Sequence, residues 1–525
     1  MGLLCRGMYF TQGLHRSVQQ KPDGIATIYG DRFRTFAEQH ERVARLAGAL
    51  RRRGVVPGDR VAYLGLNSDW FVEYYLAVPW ADAVVNPVNF RWSPAEISYS
   101  LADSQTRVLL VDDAFADLVP AIRQRYAGLD TVIHVGVGNP LQGMLGYEEL
   151  IAEGPAVADV RRGGDALAGL FYTGGTTGFP KGVMLSHANL ITSALGALTT
   201  GAFGAGGRFL VAAPMFHMGG LVPILSAFIT GGTLVAVPRF DPVAVMRAIQ
   251  RHRVTDTVLI PIMIQLLVDH PQCVEHDLSS LERLVYGGSP IPVAVLNRAR
   301  KALPQTDFAQ LYGQTELSPT ATILMPADHE ESGPQPGRLR SGGQAAPHAE
   351  VRIVGPEGRE LPRGQIGEIV SRGGHVMLGY WGKPDETAAA LRGCWVHTGD
   401  AGWMDDDGYV YVADRLKDMI VTGGENVYST EVENAVSAHP SVANCAVVAV
   451  PDDRWGERVH AIVVRKPGAE VTGAEIRDHV KSLIAGYKAP RTVEFVDVLP
   501  ATPTGKVLKR ELRAKYWAGA DRSVN

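Results

Sequence analysis

Short β-branched runs alternate with longer amphipathic stretches through most of this chain, and that alternation constrains its fold more than any other feature. Residues 60–65 read as a strand, 70–79 as a helix and 83–88 as the next strand. Further strands are expected at 107–111, 131–135, 257–260 and 284–286, with helical patterns between many of them. Such a pattern predicts an α/β fold of parallel sheets covered by helices. In that architecture ligands sit beyond the carboxyl ends of strands. At 525 residues the chain exceeds one ordinary core, so two or more domains are expected.

The texture changes near Val351. Short strands at 351–354, 366–370 and 408–413, separated by Gly, Pro and Asp turns, suit a small antiparallel, β-barrel-like module. After Asp414 a compact α+β pattern follows. Helices are expected near 431–437 and 474–484, and strands at 446–450, 461–464 and 493–496. The boundary is placed at Asp414-Arg-Leu-Lys-Asp418, which gives an N-terminal domain of residues 1–414 and a C-terminal domain of residues 415–525. Residues 209–238 contain no Asp, Glu, Lys or Arg and are long enough to cross a bilayer. Pro214, Gly219-Gly220, Pro223 and Gly231-Gly232 break the run, so it reads as buried strand, helix, buried strand rather than a membrane span.

Composition excludes several classes. The chain is 46% apolar and 20% charged, as expected of a globular protein. A net charge of −4 gives no general attraction for nucleic acid or anionic membrane. Cys5, Cys273, Cys394 and Cys445 are isolated, with neither zinc-ligand spacing nor a disulfide framework. No basic segment followed by a long apolar one opens the sequence, so a cytoplasmic location is expected.

The most informative string is Phe171-Tyr-Thr-Gly-Gly-Thr-Thr-Gly-Phe-Pro-Lys-Gly-Val-Met-Leu-Ser-His187. Glycines let backbone approach a ligand, threonine hydroxyls and free N–H groups bind phosphate oxygens, and Lys181 adds a mobile positive charge. Pro180 and Gly182 flank the lysine, so the string lacks the hydroxyl that follows the lysine of a Walker A loop. It closely resembles the phosphate loop of the adenylate-forming superfamily, which contains acyl-CoA synthetases, peptide-synthetase adenylation domains and beetle luciferases. One departure is Gly175, where most members have Ser.

Four further segments resemble superfamily motifs, in the expected order: Tyr312-Gly-Gln-Thr-Glu316, Trp395-Val-His-Thr-Gly-Asp400, Asp414-Arg-Leu-Lys-Asp-Met-Ile-Val-Thr-Gly-Gly-Glu-Asn426 and Pro500-Ala-Thr-Pro-Thr-Gly-Lys-Val-Leu-Lys-Arg510. The resemblance implies that Thr173, Gly174, Gly175, Thr176, Thr177, Gly178 and Lys181 close over the phosphates of ATP. Gly288, Ser289, Pro290, Tyr312, Gly313 and Thr315 would complete the nucleotide site, with Tyr312 near the adenine and Thr315 on a phosphate. Glu316 would hold Mg2+. Asp400 and Arg415 would reach the ribose. Lys417 would be the hinge of a mobile C-terminal domain, and Gly423-Gly424 would line the tunnel for CoA. Lys506 would be the catalytic lysine of adenylation, acting with Glu316 and Thr176.

Pro214-Met-Phe-His-Met-Gly-Gly-Leu221 corresponds to the acid pocket of the superfamily. Phe216, Met218 and Leu221 make an apolar lining, and His217 is read as a gate or wall rather than a base. Tyr286-Gly287 would form the opposite wall, with glycine leaving room for an acyl chain. The activity implied is ATP-dependent conversion of an apolar carboxylic acid to acyl-AMP, then to a CoA thioester. A medium- or long-chain fatty acid is the favoured substrate. The alternatives are an aryl or cyclic acid, or transfer of the acyl group to a separate carrier protein. Lys506 also lies in a string resembling the target of lysine acetyltransferases of bacterial acyl-CoA synthetases. A homodimer stays open.

Overall fold

The computed structural model describes residues 7–173, 180–329, 336–452, 454–501 and 507–517. It divides into two compact units, residues 1–351 with 371–396, and residues 352–370 with 397–525. The hinge expected at 415–418 falls inside the second unit.

Two large sheets organise the first unit. Among the described residues one has nine strands and the other eight. In the nine-stranded sheet Asp307–Tyr312, Arg283–Gly287, Asp256–Leu259 and Arg208–Val211 lie side by side and parallel. Each is a short run rich in apolar residues, followed by a turn and usually a helix, which is the pattern expected from the sequence. In the eight-stranded sheet Arg60–Leu64 lies between Val84–Pro87 and Val108–Asp112, again parallel.

The helix Asp69–Trp80 shows how the core is built. Ser68 caps it by accepting from the Phe71 N–H at 3.2 Å. Every residue of the helix is buried, including Asp69 and Glu73. Buried carboxylates need compensation. Arg32 Nε donates to Asp69 at 2.6 Å, and Arg42 Nε and the Tyr147 hydroxyl each donate to Glu73 at 2.6 Å.

Residues 209–238 form strand, helix and strand as expected: Arg208–Val211, Met218–Thr230 and Thr233–Ala236. The helix nevertheless runs through Gly219, Gly220 and Pro223 instead of breaking there. Burial of its apolar side chains, worth about 25 cal/mol per Å², outweighs the roughly 3 kcal/mol of an internal proline. Gly220 has its own reason, since a Cβ there would sit 2.3 Å from the Pro214 carbonyl oxygen. Among the described residues no helix is long and apolar enough to cross a membrane.

The glycine-rich string is flanked in sequence by two strands of the eight-stranded sheet. Its flanking strands Leu167–Thr173 and Lys181–Ser186 pair antiparallel, with Thr173 opposite Lys181. The next helix, His187–Thr199, starts only after the second strand, capped by Ser186.

In the second unit, among the described residues, the hairpin Val442–Asp452 and Gly456–Arg465 anchors a five-stranded sheet. Helices Ser429–Ser437 and Gly473–Leu483 contribute Val432, Val436, Ile476 and Val480 to the core of this unit. The hairpin strands are longer than the apolar runs read from sequence, because cross-strand pairing carries on through polar residues such as Asn444 and Arg458. The strands Trp395–Met404 and Val410–Arg415 pair antiparallel.

Candidate active site

The parallel strands of the nine-stranded sheet deliver three predicted segments to one edge. Arg208–Val211 leads to Pro214–Leu221, Arg283–Gly287 to Gly288, Ser289 and Pro290, and Asp307–Tyr312 to Gly313, Thr315 and Glu316. Parallel pairing forces all three segments to leave from the same side of the sheet.

Thr315–Leu317 is a single 3-10 turn. It buries Glu316, which is only 9% exposed. The Tyr380 hydroxyl donates to Glu316 Oε1 at 2.8 Å, and the Met377 N–H donates to the Glu316 carbonyl at 2.9 Å. Among the described residues Glu316 has no cationic partner, and no three His, Cys, Asp or Glu side chains gather as a metal cluster. Gly313 is required sterically, since a Cβ there would lie 2.0 Å from the Pro319 carbonyl oxygen.

Lys181 reaches the same place from the other sheet. Its Nζ lies 2.5 Å from Glu386 Oε2 and 5.2 Å from the centre of the Tyr380 ring. The two-residue strand Gly379–Tyr380 pairs antiparallel with Lys181–Ser186, placing Tyr380 opposite Val183. Thr173 ends the preceding strand, anchored next door by the Tyr172 hydroxyl, which donates to Asp103 at 2.6 Å. Gly174, Gly175, Thr176, Thr177 and Gly178 lie outside the described residues, as does Lys506.

The structure thus brings Glu316 and Lys181 together through Tyr380, a residue that sequence reasoning missed. Tyr380 is 64 positions from Glu316. The only signal in the sequence is an aromatic pair, Tyr380-Trp381, after a glycine, which by itself indicates no chemistry.

The acid-pocket residues separate into two groups. Phe216, Met218 and Leu221 are buried in one apolar cluster. The Phe216 ring lies 5.0 Å from Phe90, edge to face, and 4.2 Å from His217. Burial first, then the nearby Arg91 guanidinium, pushes His217 down to about 4, so its imidazole is neutral at pH 7. Tyr286 belongs to a different cluster, with Leu259, Met263 and Leu284. It is fully buried, and its hydroxyl lies 3.0 Å from His329 Nε2. His329 Nδ1 faces the Met325 carbonyl at 2.8 Å, so Nδ1 carries the proton and Tyr286 donates to Nε2. The structure does not bring the Tyr286 ring together with Phe216, Met218 and Leu221. Gly287 also has a local reason, because a Cβ there would stand 2.4 Å from the Leu311 carbonyl of the neighbouring strand. Gly288 takes a left-handed φ of +84°, which glycine adopts without strain.

In the second unit Asp400 and Arg415 are register partners on adjacent strands, with Arg415 Nε 2.8 Å from Asp400 Oδ1. Asp400 is buried and Arg415 half-buried. Lys417 lies in the 3-10 turn Leu416–Asp418, and burial pulls its ammonium below the usual lysine range. Its carbonyl accepts from Arg513 Nη1 at 2.9 Å. Gly423 and Gly424 form a turn with φ of +63° and +85°. A Cβ on Gly423 would meet the Trp455 ring at 2.6 Å, whereas one on Gly424 would meet nothing within 4 Å.

The sequence pattern of the AMP-binding enzyme family matches residues 14–381, and that of the AMP-binding enzyme C-terminal domain matches residues 431–506. The chain belongs to the AMP-binding enzyme family. This is the adenylate-forming superfamily that the five motifs resemble. Among the family's curated members the chain is 41% identical to a feruloyl-CoA synthase of Amycolatopsis sp, over 95% of this chain and 98% of that protein. It is 36% identical to a fatty acid–[acyl-carrier-protein] ligase of Streptomyces coeruleorubidus, over 97% of this chain and 96% of that protein. Among solved structures it is similar to an amide bond synthetase from Marinactinospora thermotolerans, at 32% identity and a TM-score of 0.86, covering 96% of this chain and 99% of that one.

Proposed function

We propose that this enzyme is an AMP-forming acid–CoA ligase. It joins an apolar carboxylic acid to AMP and then exchanges AMP for the thiol of CoA. The observation that carries the reading is that Tyr380 touches both Lys181, a phosphate-loop cation, and Glu316, a buried carboxylate that has no cationic partner among the described residues.

In the first half-reaction the carboxylate of the acid attacks the α-phosphorus of ATP, and the α–β bridging oxygen leaves with pyrophosphate. Two anions must meet, so catalysis is mainly positioning and charge compensation. Glu316 suits Mg2+, since a hard cation takes one or two protein carboxylates plus phosphate oxygens, and bound there it would offset the charge of the triphosphate. Thr173, Gly174, Gly175, Thr176, Thr177, Gly178 and Lys181 cradle the phosphates. Tyr312, Gly313 and Thr315, with Gly288, Ser289 and Pro290, hold the rest of the nucleotide, and Asp400 and Arg415 take the ribose. Lys506 supplies the charge for the departing pyrophosphate.

In the second half-reaction the thiol sulfur attacks the acyl carbonyl, the bond from the acyl carbon to the AMP oxygen breaks, and the thiol proton is released to solvent. Turning about Lys417 withdraws Lys506 and brings Gly423-Gly424 to the thiol path, because pyrophosphate must leave and a thiol must enter the same space. Acetylation of Lys506 by a lysine acetyltransferase would remove its charge and stop the first half alone.

The rings of Phe90, Phe216 and His217 favour an aryl acid, and the similarity to a feruloyl-CoA synthase supports that choice over the fatty acid favoured by sequence. A neutral His217 suits a pocket wall better than a base. Incubation with ATP, Mg2+, CoA and a panel of hydroxycinnamic, benzoic and C6–C16 fatty acids, followed by weighing of products, tests the reading. Aryl-CoA with AMP and pyrophosphate is expected. Acyl-AMP without thioester would move the acceptor to a carrier protein, and ADP as product would overturn the proposal.

A further inference from the structure

Tyr380 holds together two segments that come from different sheets. Its hydroxyl donates to Glu316 Oε1 at 2.8 Å, and its ring lies 5.2 Å from Lys181 Nζ. Its own position is fixed from several sides. Strand Gly379–Tyr380 pairs with Lys181–Ser186, and the Tyr380 N–H donates to Thr387 Oγ1 at 2.9 Å. The next residue, Trp381, donates its N–H to the Gly182 carbonyl at 2.8 Å and its indole Nε1–H to the Asp103 carbonyl at 3.0 Å. A ring held this firmly has little choice of where its hydroxyl points.

A carboxylate turns freely about its last torsion unless something holds it. A phenol O–H on one oxygen sets the plane and leaves the other oxygen's lone pairs for a cation. Hydrogen bonds to charged acceptors are also the strong ones. The ring face adds an attraction for the lysine ammonium, so one side chain sets the spacing between the carboxylate and the cation.

We propose that Tyr380 is a positioning residue that aims the Glu316 carboxylate at the magnesium ion of MgATP while its ring keeps Lys181 alongside. The inference rests on the proposed role of Glu316. Nothing in it requires Tyr380 to exchange a proton or touch the reacting atoms.

The test reads binding separately from turnover. ATP affinity is measured by calorimetry with Mg2+ and with EDTA, and the ratio of the two is the gain due to magnesium. Tyr380→Phe keeps the ring and removes only the O–H. It should cut the gain about tenfold or more, as for loss of a hydrogen bond to a charged group, and leave ATP affinity in EDTA unchanged. Tyr380→His, which restores a donor, should return part of it. Glu316→Ala should cut the gain at least as far as Tyr380→Phe does, and Tyr380→Phe should then add no further loss to what remains. A gain in Tyr380→Phe equal to that of the unaltered enzyme overturns the inference. So does an equal further loss in the Glu316→Ala background, because Tyr380 would then act through the fold. If Glu316→Ala itself keeps the gain, the proposed role of Glu316 fails instead, which distinguishes the two failures.

Discussion

Lys181 Nζ and Glu386 Oε2 lie 2.5 Å apart, so the lysine proposed to serve ATP phosphates is paired with a carboxylate of the protein itself. The lysine side chain is 25% exposed and the glutamate 40%. A pair this open contributes only about 0.2–1 kcal/mol. It is therefore weak enough for a triphosphate to displace.

Removing the competing carboxylate should help the nucleotide. Glu386→Gln is expected to lower the ATP concentration for half-saturation by about two- to fivefold, with the difference shrinking as salt screens the pair. Pyrophosphate exchange at low and high ionic strength checks this. Weaker ATP binding in the variant would mean that Glu386 supports Lys181 rather than competing with ATP.

The turn at Gly424 allows a clean test of the thiol path. Its φ of +85° penalises most side chains, but a Cβ there meets nothing within 4 Å. Asparagine tolerates left-handed backbone better than other non-glycine residues. Gly424→Asn should fold, form acyl-AMP and release pyrophosphate, yet lose thioester formation about tenfold or more if the side chain blocks the thiol, the equivalent of about 1.4 kcal/mol. Separate assays of the two half-reactions decide it, and equal loss in both removes Gly424 from the CoA path.

Asp400 offers a test of the ribose site. Its carboxylate is buried beside Arg415, with Nε at 2.8 Å. An acceptor for a vicinal diol discriminates against nucleotides lacking those hydroxyls. The unaltered enzyme should prefer ATP to dideoxy-ATP by about tenfold or more, and Asp400→Asn should lose most of that preference. A variant that keeps it would show that Asp400 serves Arg415 alone.

Stability should fall on mild acidification. Burial holds His187, His217 and His329 down to about 4 and His375 down to about 3. Unfolded, these imidazoles take protons near pH 6.5, so the unfolded state binds more protons between pH 6.5 and about 4, and stability is lost as pH falls through that window. Each group contributes about 1.4 kcal/mol per pH unit inside it. Asp112, raised by burial to about 6, works the other way over part of the same range, because the folded state keeps its proton. Melting temperatures between pH 7.5 and 5 should decline with acid, and a flat or rising profile would contradict the buried neutral histidines.

Much of the architecture was legible because it is local. Residues 131–135 and 284–286 are β-branched or apolar runs bounded by polar residues, and they form strands at Thr131–Val135 and Arg283–Gly287. The five motif strings are contiguous, so their resemblance to a family could be read without any tertiary information. The tertiary structure decided what stands between and behind those strings. Tyr380 gains its neighbours only because a two-residue strand pairs with Lys181–Ser186, a contact that no period or spacing encodes. Tyr286 faces away from Phe216 because successive side chains of a strand point to opposite faces. Val285 packs into the same apolar cluster as Phe216, whereas Tyr286 packs into the other. An unbroken apolar run names a buried strand, but only its neighbours on either side determine which residue faces the candidate site.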